Sequence, residues 1–185
     1  MGKQRRPRLA IDMDEVIADA HAGQEAWYRA EHGYVWSEEE LRGNALQSLV
    51  SPDHAVLMQE VLHDGKIFGT FPVMAGSQEA LSILSDRFDI FIVTAAMEYP
   101  GSCAAKFSWL QENFPFISPL NIVFCGDKSI VSADILIDDS VRHFDKFTGQ
   151  GVLFTAPHNL TVDWPHRVTS WDDALAFLRD WQSGS

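Results

Sequence analysis

Leu9-Ala10-Ile11-Asp12-Met13-Asp14-Glu15-Val16 joins a short apolar run to a cluster of acidic residues. Such a run is typical of a buried strand whose carboxyl end opens into a polar site. Two like charges about 4 Å apart repel each other by roughly 4 kcal/mol at an effective dielectric constant near 20. A bound divalent cation would relieve this repulsion, but this segment alone leaves a solvated acidic turn open as the alternative.

Three other apolar runs also end at residues that can bind phosphate or metal. They are Ile90-Phe91-Ile92-Val93 before Thr94, Ile122-Val123-Phe124-Cys125 three residues before Lys128, and Ile135-Leu136-Ile137 before Asp138 and Asp139. In a parallel sheet the carboxyl ends of the strands share one edge, and ligands bind there near the topological switch point. The four runs therefore predict one shared site and favour the cation over the solvated turn.

The spacing of apolar residues predicts an α/β protein with a doubly wound parallel sheet. The strands are expected at about 9–12, 89–94, 121–125, 135–138 and 152–155. Residues 19–71 are strand-poor and carry helix-start signals at Ser37 and Pro52. Ser77 and Ser170 are predicted to cap two later helices. The insertion after the first strand is either a small helical cap or a long helical crossover.

The order Asp-x-Asp, Thr, Lys, Asp-Asp resembles the four motifs of the haloacid dehalogenase superfamily. Residues 12–19 resemble the first motif of its 5'(3')-deoxyribonucleotidase family, and residues 127–139 are similar to that family's joined third and fourth motifs. The segment Phe154-Thr155-Ala156-Pro157-His158-Asn159 resembles a stretch after the family's last strand. The resemblance implies a haloacid dehalogenase-like, Rossmann-like catalytic core at residues 1–18 and 72–185, with a helical cap at residues 19–71.

The acidic residues predict covalent phosphate chemistry. Asp12 is the expected nucleophile, and Asp14 is the expected general acid and base. The resemblance implies the same two roles. Asp139, Asp12 and the backbone carbonyl of Asp14 are expected to bind Mg²⁺, because the site offers only oxygen ligands. Asp138 is expected to support this metal site, directly or through water.

Four residues are expected to bind the substrate phosphate: Asp14, Thr94 through its hydroxyl, Ala95 through its backbone N–H, and Lys128 through its charge. Ala95 stands where some relatives carry a second hydroxyl, and Ala20 and Ala45 stand where some carry aromatic residues that clamp a base. His158-Asn159 lies just beyond the last strand and either supports the site or forms a turn.

The resemblance implies a magnesium-dependent phosphomonoesterase that forms an aspartyl-phosphate and acts on deoxyribonucleoside monophosphates. A phosphatase of another small metabolite, such as a sugar phosphate, is the main alternative. A receiver-like signalling domain fits less well, because its acidic pair comes with the first strand, whereas here Asp138 and Asp139 follow Lys128. A non-catalytic domain is disfavoured by the intact set of site residues. A dehalogenase is disfavoured because a second acid at Asp14 suits protonation of an alcohol leaving group.

Composition narrows the class of partner. The chain has 185 residues and a net charge of −12, which suits one domain and disfavours polynucleotides and anionic membranes as partners. Two cysteines and the short apolar run before Asp12 favour a cytoplasmic protein without a signal peptide. The basic stretch at residues 3–8 could form an interaction arm, but a disordered lead-in is the favoured interpretation. The oligomeric state is left open, with a homodimer among the options.

Overall fold

A computed structural model describes residues 5–181, so Lys3 and Gln4 of the basic stretch lie outside the described residues. The strands found there are β1 (Arg8–Ile11), β2 (Asp89–Thr94), β3 (Ile122–Phe124), β4 (Ile135–Asp138), β5 (Gln150–Phe154) and β6 (Arg167–Val168). The α-helices are α1 (Ala20–His32), α2 (Glu38–Leu41), α3 (Pro52–Asp64), α4 (Ser77–Leu84), α5 (Cys103–Asn113) and α6 (Trp171–Asp180). The predicted α/β class is confirmed.

The strands form one sheet in the order β3-β2-β1-β4-β5-β6, with every neighbouring pair parallel. The central strand β1 is buried on both faces, which is why Leu9, Ala10 and Ile11 form a continuous apolar run. The chain moves outward from β1 to β2 and β3, and then returns to place β4 on the other side of β1. This reversal creates a switch point at the carboxyl ends of β1 and β4.

The two faces of the sheet are covered differently. Leu9 and Ile11 belong to the larger core cluster, which also contains apolar residues of α4, α5 and α6. Ala10 belongs to a second cluster with Phe144 and Phe147, which lie in the segment between β4 and β5. The helices therefore pack mainly on one face, and loop aromatics close the other.

The insertion between β1 and β2 begins with three capped helices. The side chain of Asp19 accepts a hydrogen bond from the N–H of Ala22. Ser37 is the predicted N-cap of α2, and it forms a capping box with Glu40. Ser51 caps α3, whose first residue is the predicted Pro52. Tyr28, Trp36, Leu46 and Met58 form a separate small core in this insertion. The function of residues 19–71 as a cap remains a prediction.

The structure corrects two local predictions and adds one strand. Gly76, at φ +79°, is the N-cap of α4, while Ser77 is its first residue and donates its hydroxyl to the carbonyl of Met74. Strand β6 was not predicted, because two residues are too few to show a strand period. The preferred disordered lead-in was wrong from Arg5 onward, since Arg5 donates two hydrogen bonds to Asp134, at 2.9 and 3.0 Å.

Within residues 5–181, no helix combines the length and the hydropathy that crossing a bilayer requires. Both cysteines, Cys103 and Cys125, are free thiols.

Candidate active site

The strand ends bring the predicted residues to one edge of the sheet. A cavity of about 240 Å³ opens there, and five predicted site residues line it: Asp12, Asp14, Ala95, Lys128 and Asp139. Thr94 and Asp138 are fully buried and lie behind this lining. The backbone N–H of Asp12 donates to the carbonyl of Ile137 at 2.9 Å, which fixes the end of β1 against β4. We call this space the phosphate cavity.

Lys128 is a buried cation between two carboxylates. Its side chain is 1% exposed, and its ammonium forms ion pairs with Asp12 and, at 2.6 Å, with Asp138. Burial acts to lower the pKa of Lys128, but the two carboxylates outweigh it and raise the pKa above its ordinary value. Lys128 therefore stays charged and offsets part of the acidic cluster.

Lys106, on α5, is a second buried cation that the sequence analysis missed. Its ammonium forms an ion pair with Asp14 and donates to the hydroxyl of Thr94 at 3.0 Å. It also lies 4.5 Å from the ring centroid of Phe68 in the insertion. The sequence does contain a pattern that indicates its burial. Lys106 lies one helical turn before Trp109 and Leu110, which places it on the buried face of α5.

The environment of Asp14 suits a group that exchanges protons. Burial raises the pKa of Asp14; Lys106 opposes the shift, and the charge of Asp12 adds to it. One oxygen of Asp14 contacts Lys106, and the other is buried without a hydrogen-bond partner within the described part of the chain. A carboxyl with a raised pKa can hold a proton near neutral pH and donate it to a leaving group.

Three carboxylates form the candidate metal site. Asp12, Asp138 and Asp139 each offer an oxygen, and these oxygens lie within 4.8 Å of one another. Burial raises the pKa of Asp139 well above its usual range, and the charges of Asp12 and Asp138 add to the shift. This crowding of oxygen ligands fits a hard divalent cation such as Mg²⁺.

Asp138 differs from Asp139 in its partners. Both of its oxygens are occupied, one by Lys128 and the other by the backbone N–H of Ser140 at 3.0 Å. Burial raises its pKa to about 6. Asp138 is therefore suited to holding Lys128 and the strand end, which leaves Asp12 and Asp139 as the carboxylates that line the cavity.

His158 and Asn159 both contact Asp139. The ring Nε2 of His158 lies 3.2 Å from a carboxylate oxygen of Asp139, and the side-chain amide of Asn159 donates to the Asp139 carbonyl at 2.8 Å. Burial lowers the pKa of His158, which favours the neutral ring.

A larger cavity of about 410 Å³ adjoins the phosphate cavity, and Asp14, Tyr99 and Arg142 line both. The insertion supplies mostly small or polar side chains to it, namely Ala20, His21, Gln24, Asn44, Ala45 and Gln47, together with the apolar Leu46, Leu62 and Phe68. Tyr28 and Trp36 lie instead in the small core of the insertion. We call this space the substituent cavity, because it can take whatever the phosphate is attached to.

Arg142 pairs with Glu98 at 2.5 Å where the two cavities meet. Both side chains are largely exposed, so the pair contributes little to stability. Its guanidinium adds positive charge where the two cavities meet.

Comparison with known sequences gives consistent matches over nearly the whole chain. The model of the family "5' nucleotidase, deoxy (Pyrimidine), cytosolic type C protein" matches residues 6–181. A protein of Staphylococcus aureus (strain Mu50) named "Putative 5'(3')-deoxyribonucleotidase" is 42% identical over 177 residues, which cover 95% of this chain and 97% of the relative. The 5'(3')-deoxyribonucleotidase of Bacillus subtilis (strain 168) is 33% identical over 165 residues, with coverages of 89% and 94%.

Solved structures agree at the level of the fold. A haloacid dehalogenase-like family hydrolase from Streptococcus pneumoniae superposes with a TM-score of 0.61 at 14% identity, covering 94% of this chain and 98% of its own. A "putative HAD-hydrolase" from Bacillus subtilis, described as bound to magnesium, has a TM-score of 0.60 at 13% identity and covers 95% of this chain and 100% of its own. At these identities the likeness shows the fold alone.

Proposed function

The chain belongs to the 5' nucleotidase, deoxy (pyrimidine), cytosolic type C family, and from this membership we propose that it is a magnesium-dependent 5'(3')-deoxyribonucleotidase. It is a phosphoric monoester hydrolase by family. The observation that carries the mechanism is the pairing of Asp12 with buried Lys128 and of Asp14 with buried Lys106 at one cavity.

Asp12 is the proposed nucleophile. Its carboxylate attacks the phosphorus, the bond from phosphorus to the ester oxygen breaks, and an aspartyl-phosphate forms. The end of β1 holds Asp12 rigidly, which favours an attack in line with the leaving group. Water then attacks the phosphorus of this intermediate, which releases inorganic phosphate and restores the Asp12 carboxylate.

Asp14 moves the protons in both steps. It protonates the ester oxygen as that oxygen leaves, and it then takes a proton from the attacking water. Its raised pKa supports the first step, and its ion pair with Lys106 keeps the side chain in place. We also propose that Lys106 limits the rise in pKa, so that Asp14 can act as a base in the second step.

Lys128 and the N–H of Ala95 are proposed to bind the phosphate oxygens. Thr94 is buried, and its hydroxyl accepts a hydrogen bond from Lys106, so it supports the site through that residue in the arrangement seen here. The cation would be held by Asp12, Asp139 and the backbone carbonyl of Asp14. Bound Mg²⁺ supplies positive charge that stabilises the phosphoryl group during transfer.

The substituent cavity sets the class of substrate. A volume of about 410 Å³ suits one small organic group. The net charge of −12 disfavours longer polyanions. We propose that residues 19–71 form the cap that closes this cavity over a nucleoside. Ala20 and Ala45 offer no stacking surface, and each base–aromatic stack is worth about 1–3 kcal/mol, so weak base selectivity is expected.

Steady-state kinetics over a set of monophosphates, with Mg²⁺ present, test this proposal. We expect phosphate release from several deoxyribonucleoside 5'- and 3'-monophosphates, and little from diphosphates or triphosphates. A sugar phosphate whose kcat/KM lies well above that of every deoxynucleotide would overturn the nucleotidase assignment and leave the phosphatase chemistry intact. Undiminished activity in Asp12→Asn, or in excess chelator, would overturn the mechanism itself.

A further inference from the structure

The short turn after β5 lies directly beside the candidate metal site. Because β4 and β5 pair in parallel with Asp138 opposite Leu153, the residues that follow each strand emerge next to each other. Asp139 follows β4, and the 3₁₀ turn Pro157–Asn159 follows β5 by two residues. The turn can therefore contact Asp139 from the side away from β1.

Asn159 anchors this turn. It is 2% exposed, and its amide donates to the carbonyls of Asp139 and Phe154, both at 2.8 Å. Its side-chain oxygen accepts from the N–H of Ala156 at 3.1 Å and from Arg167 at 3.0 Å. All four hydrogen-bonding positions of the amide are thus used, and the turn is fixed to both strand ends.

His158 has a different part in the same turn. The side chain of Asn159 and the backbone make the hydrogen bonds that hold the turn. The polar contact of the His158 ring is directed at the carboxylate of Asp139, at 3.2 Å. The hydrogen bonds that form the turn do not require this contact with the neighbouring strand end.

We propose that His158 is a positioning residue, which orients the carboxylate of Asp139 toward the cation from a turn anchored by Asn159. The inference rests on the proposed function, because it takes Asp139 as a ligand of Mg²⁺. Without the contact from His158, the carboxylate of Asp139 would be repelled by Asp12 and Asp138, and it would turn toward solvent. The contact of the His158 ring with one oxygen, at 3.2 Å, holds the carboxylate in place before the cation arrives. Such supporting contacts typically change metal affinity by about 10- to 100-fold.

Two variants of His158 separate positioning from packing. His158→Leu keeps similar bulk and removes the donor, whereas His158→Gln keeps an N–H that can reach Asp139. His166→Gln is the matched control, because His166 is an exposed histidine whose ring lies near Phe177. Isothermal titration of each folded, metal-free protein with MgCl₂ gives the dissociation constant without any substrate.

We expect His158→Leu to raise the Mg²⁺ dissociation constant by about 10-fold or more, with a melting temperature in chelator close to that of the wild type. His158→Gln should restore most of the affinity, and His166→Gln should match the wild type. Wild-type affinity in His158→Leu would overturn the inference, and so would equal losses in His158→Leu and His158→Gln. A wild-type protein that binds no Mg²⁺ would overturn the metal site of the proposed function and the inference with it. Mg²⁺ binding without deoxynucleotide hydrolysis would overturn the substrate assignment alone.

Discussion

At the scale of the single residue, the site depends on two lysines that the fold has removed from water. Lys106 and Lys128 are 2% and 1% exposed, and each is paired with an aspartate that lines the phosphate cavity. Removing one partner of a buried ion pair leaves an uncompensated charge, which is far more harmful than losing an exposed pair. The two ammonium groups therefore fix both the charge and the position of the aspartates that we propose to do the chemistry.

Lys106→Met tests whether Lys106 controls the protonation of Asp14. Lys106 lowers the pKa of Asp14, so its removal should raise that pKa further and extend the protonated form to higher pH. We expect kcat to fall by about 10²- to 10³-fold, as when other positioned donors are removed. The alkaline limb of the kcat profile should also move to higher pH, because the acid form of Asp14 persists there.

Lys66→Met is the matched control for this variant. Lys66 is 87% exposed and pairs only with the nearby Asp64 within the described residues. The Lys66→Met variant should therefore have the kcat and the pH profile of the wild type. A Lys106→Met enzyme with the kcat of the wild type would show that Asp14 does not depend on Lys106.

The site residues at the strand ends were predictable from the sequence, whereas Lys106 on α5 was not. Asp12, Thr94 and Asp138 each follow an apolar run, so the sheet topology alone brings them together. Lys106 lies within a helix, where a lysine is normally solvated, and only the packing of α5 against the insertion buries it. His158 was noted beside the last strand, but its contact with Asp139 depends on the turn fixed by Asn159 and Arg167.

At the scale of secondary-structure elements, one close contact joins the insertion to the core. α3 ends at Gly65, which adopts φ +81°, and a Cβ placed there would lie 2.2 Å from the backbone carbonyl carbon of Gly101. A Cβ on Gly101 would lie 2.4 Å from the carbonyl oxygen of His63. Only glycine at both positions lets these backbones approach, so the contact fixes one end of the insertion against the segment before α5.

Gly65→Ala should destabilise the protein more than Gly33→Ala. Both glycines follow 13-residue helices in left-handed conformations, but a Cβ at Gly33 would meet nothing within 4 Å. Gly33→Ala is expected to cost about 1 kcal/mol from the backbone conformation alone. Gly65→Ala adds the collision with Gly101, for a total of about 3 kcal/mol or more.

Urea unfolding of both variants measures this difference in the free energy of unfolding. Equal losses for Gly65→Ala and Gly33→Ala would show that the insertion moves aside without cost, so that it is not fixed at this point.

The helices of the insertion were predictable because Ser37, Ser51 and Pro52 mark their starts with local chemistry. The close approach of Gly65 to Gly101 was not, because it is a contact between distant segments. The same limit explains β6, whose two residues become a strand only by pairing with β5. It also explains Ser77, which lies one position inside the helix because Gly76 can adopt the left-handed conformation.

At the scale of the whole molecule, the acidic residues at the carboxyl edge of the sheet, which we call the acidic edge, make the stability of the fold depend on pH and on bound Mg²⁺. Burial raises the pKa of Glu15 to about 8, with the charges of Asp19 and Asp14 adding to the shift. The pKa of Asp139 is raised well above its usual range for the same first reason. The folded protein thus holds protons that the unfolded chain releases, and its stability falls as the pH rises through these raised values.

The free energy of unfolding of the metal-free protein should therefore fall as the pH rises from 6.5 to about 8. Below pH 6.5 the trend is opposed, because burial lowers the pKa of His21, His143 and His158, and these rings resist protonation in the folded state. Saturating Mg²⁺ should flatten or reverse the loss, since the cation replaces the protons. It should also stabilise the protein by about 2.7 kcal/mol at 100 times its dissociation constant.

Chemical unfolding over this pH range, with chelator and with MgCl₂, checks both effects. A metal-free stability that rises toward pH 8, or thermal melts that are indifferent to millimolar Mg²⁺, would contradict this coupling between the acidic edge and the cation.

We propose that Asp12 carries the phosphoryl group, and mass spectrometry of an acid-quenched Asp14→Asn variant can detect the group on that residue. Without the proton-transfer group at position 14, the intermediate should break down slowly and accumulate after mixing with Mg²⁺ and a deoxyribonucleoside monophosphate. We expect the protein to gain the mass of one phosphoryl group and fragmentation to place that group on Asp12. A phosphoryl group on another residue, or full turnover by Asp12→Asn, would contradict the assignment of Asp12 as the nucleophile.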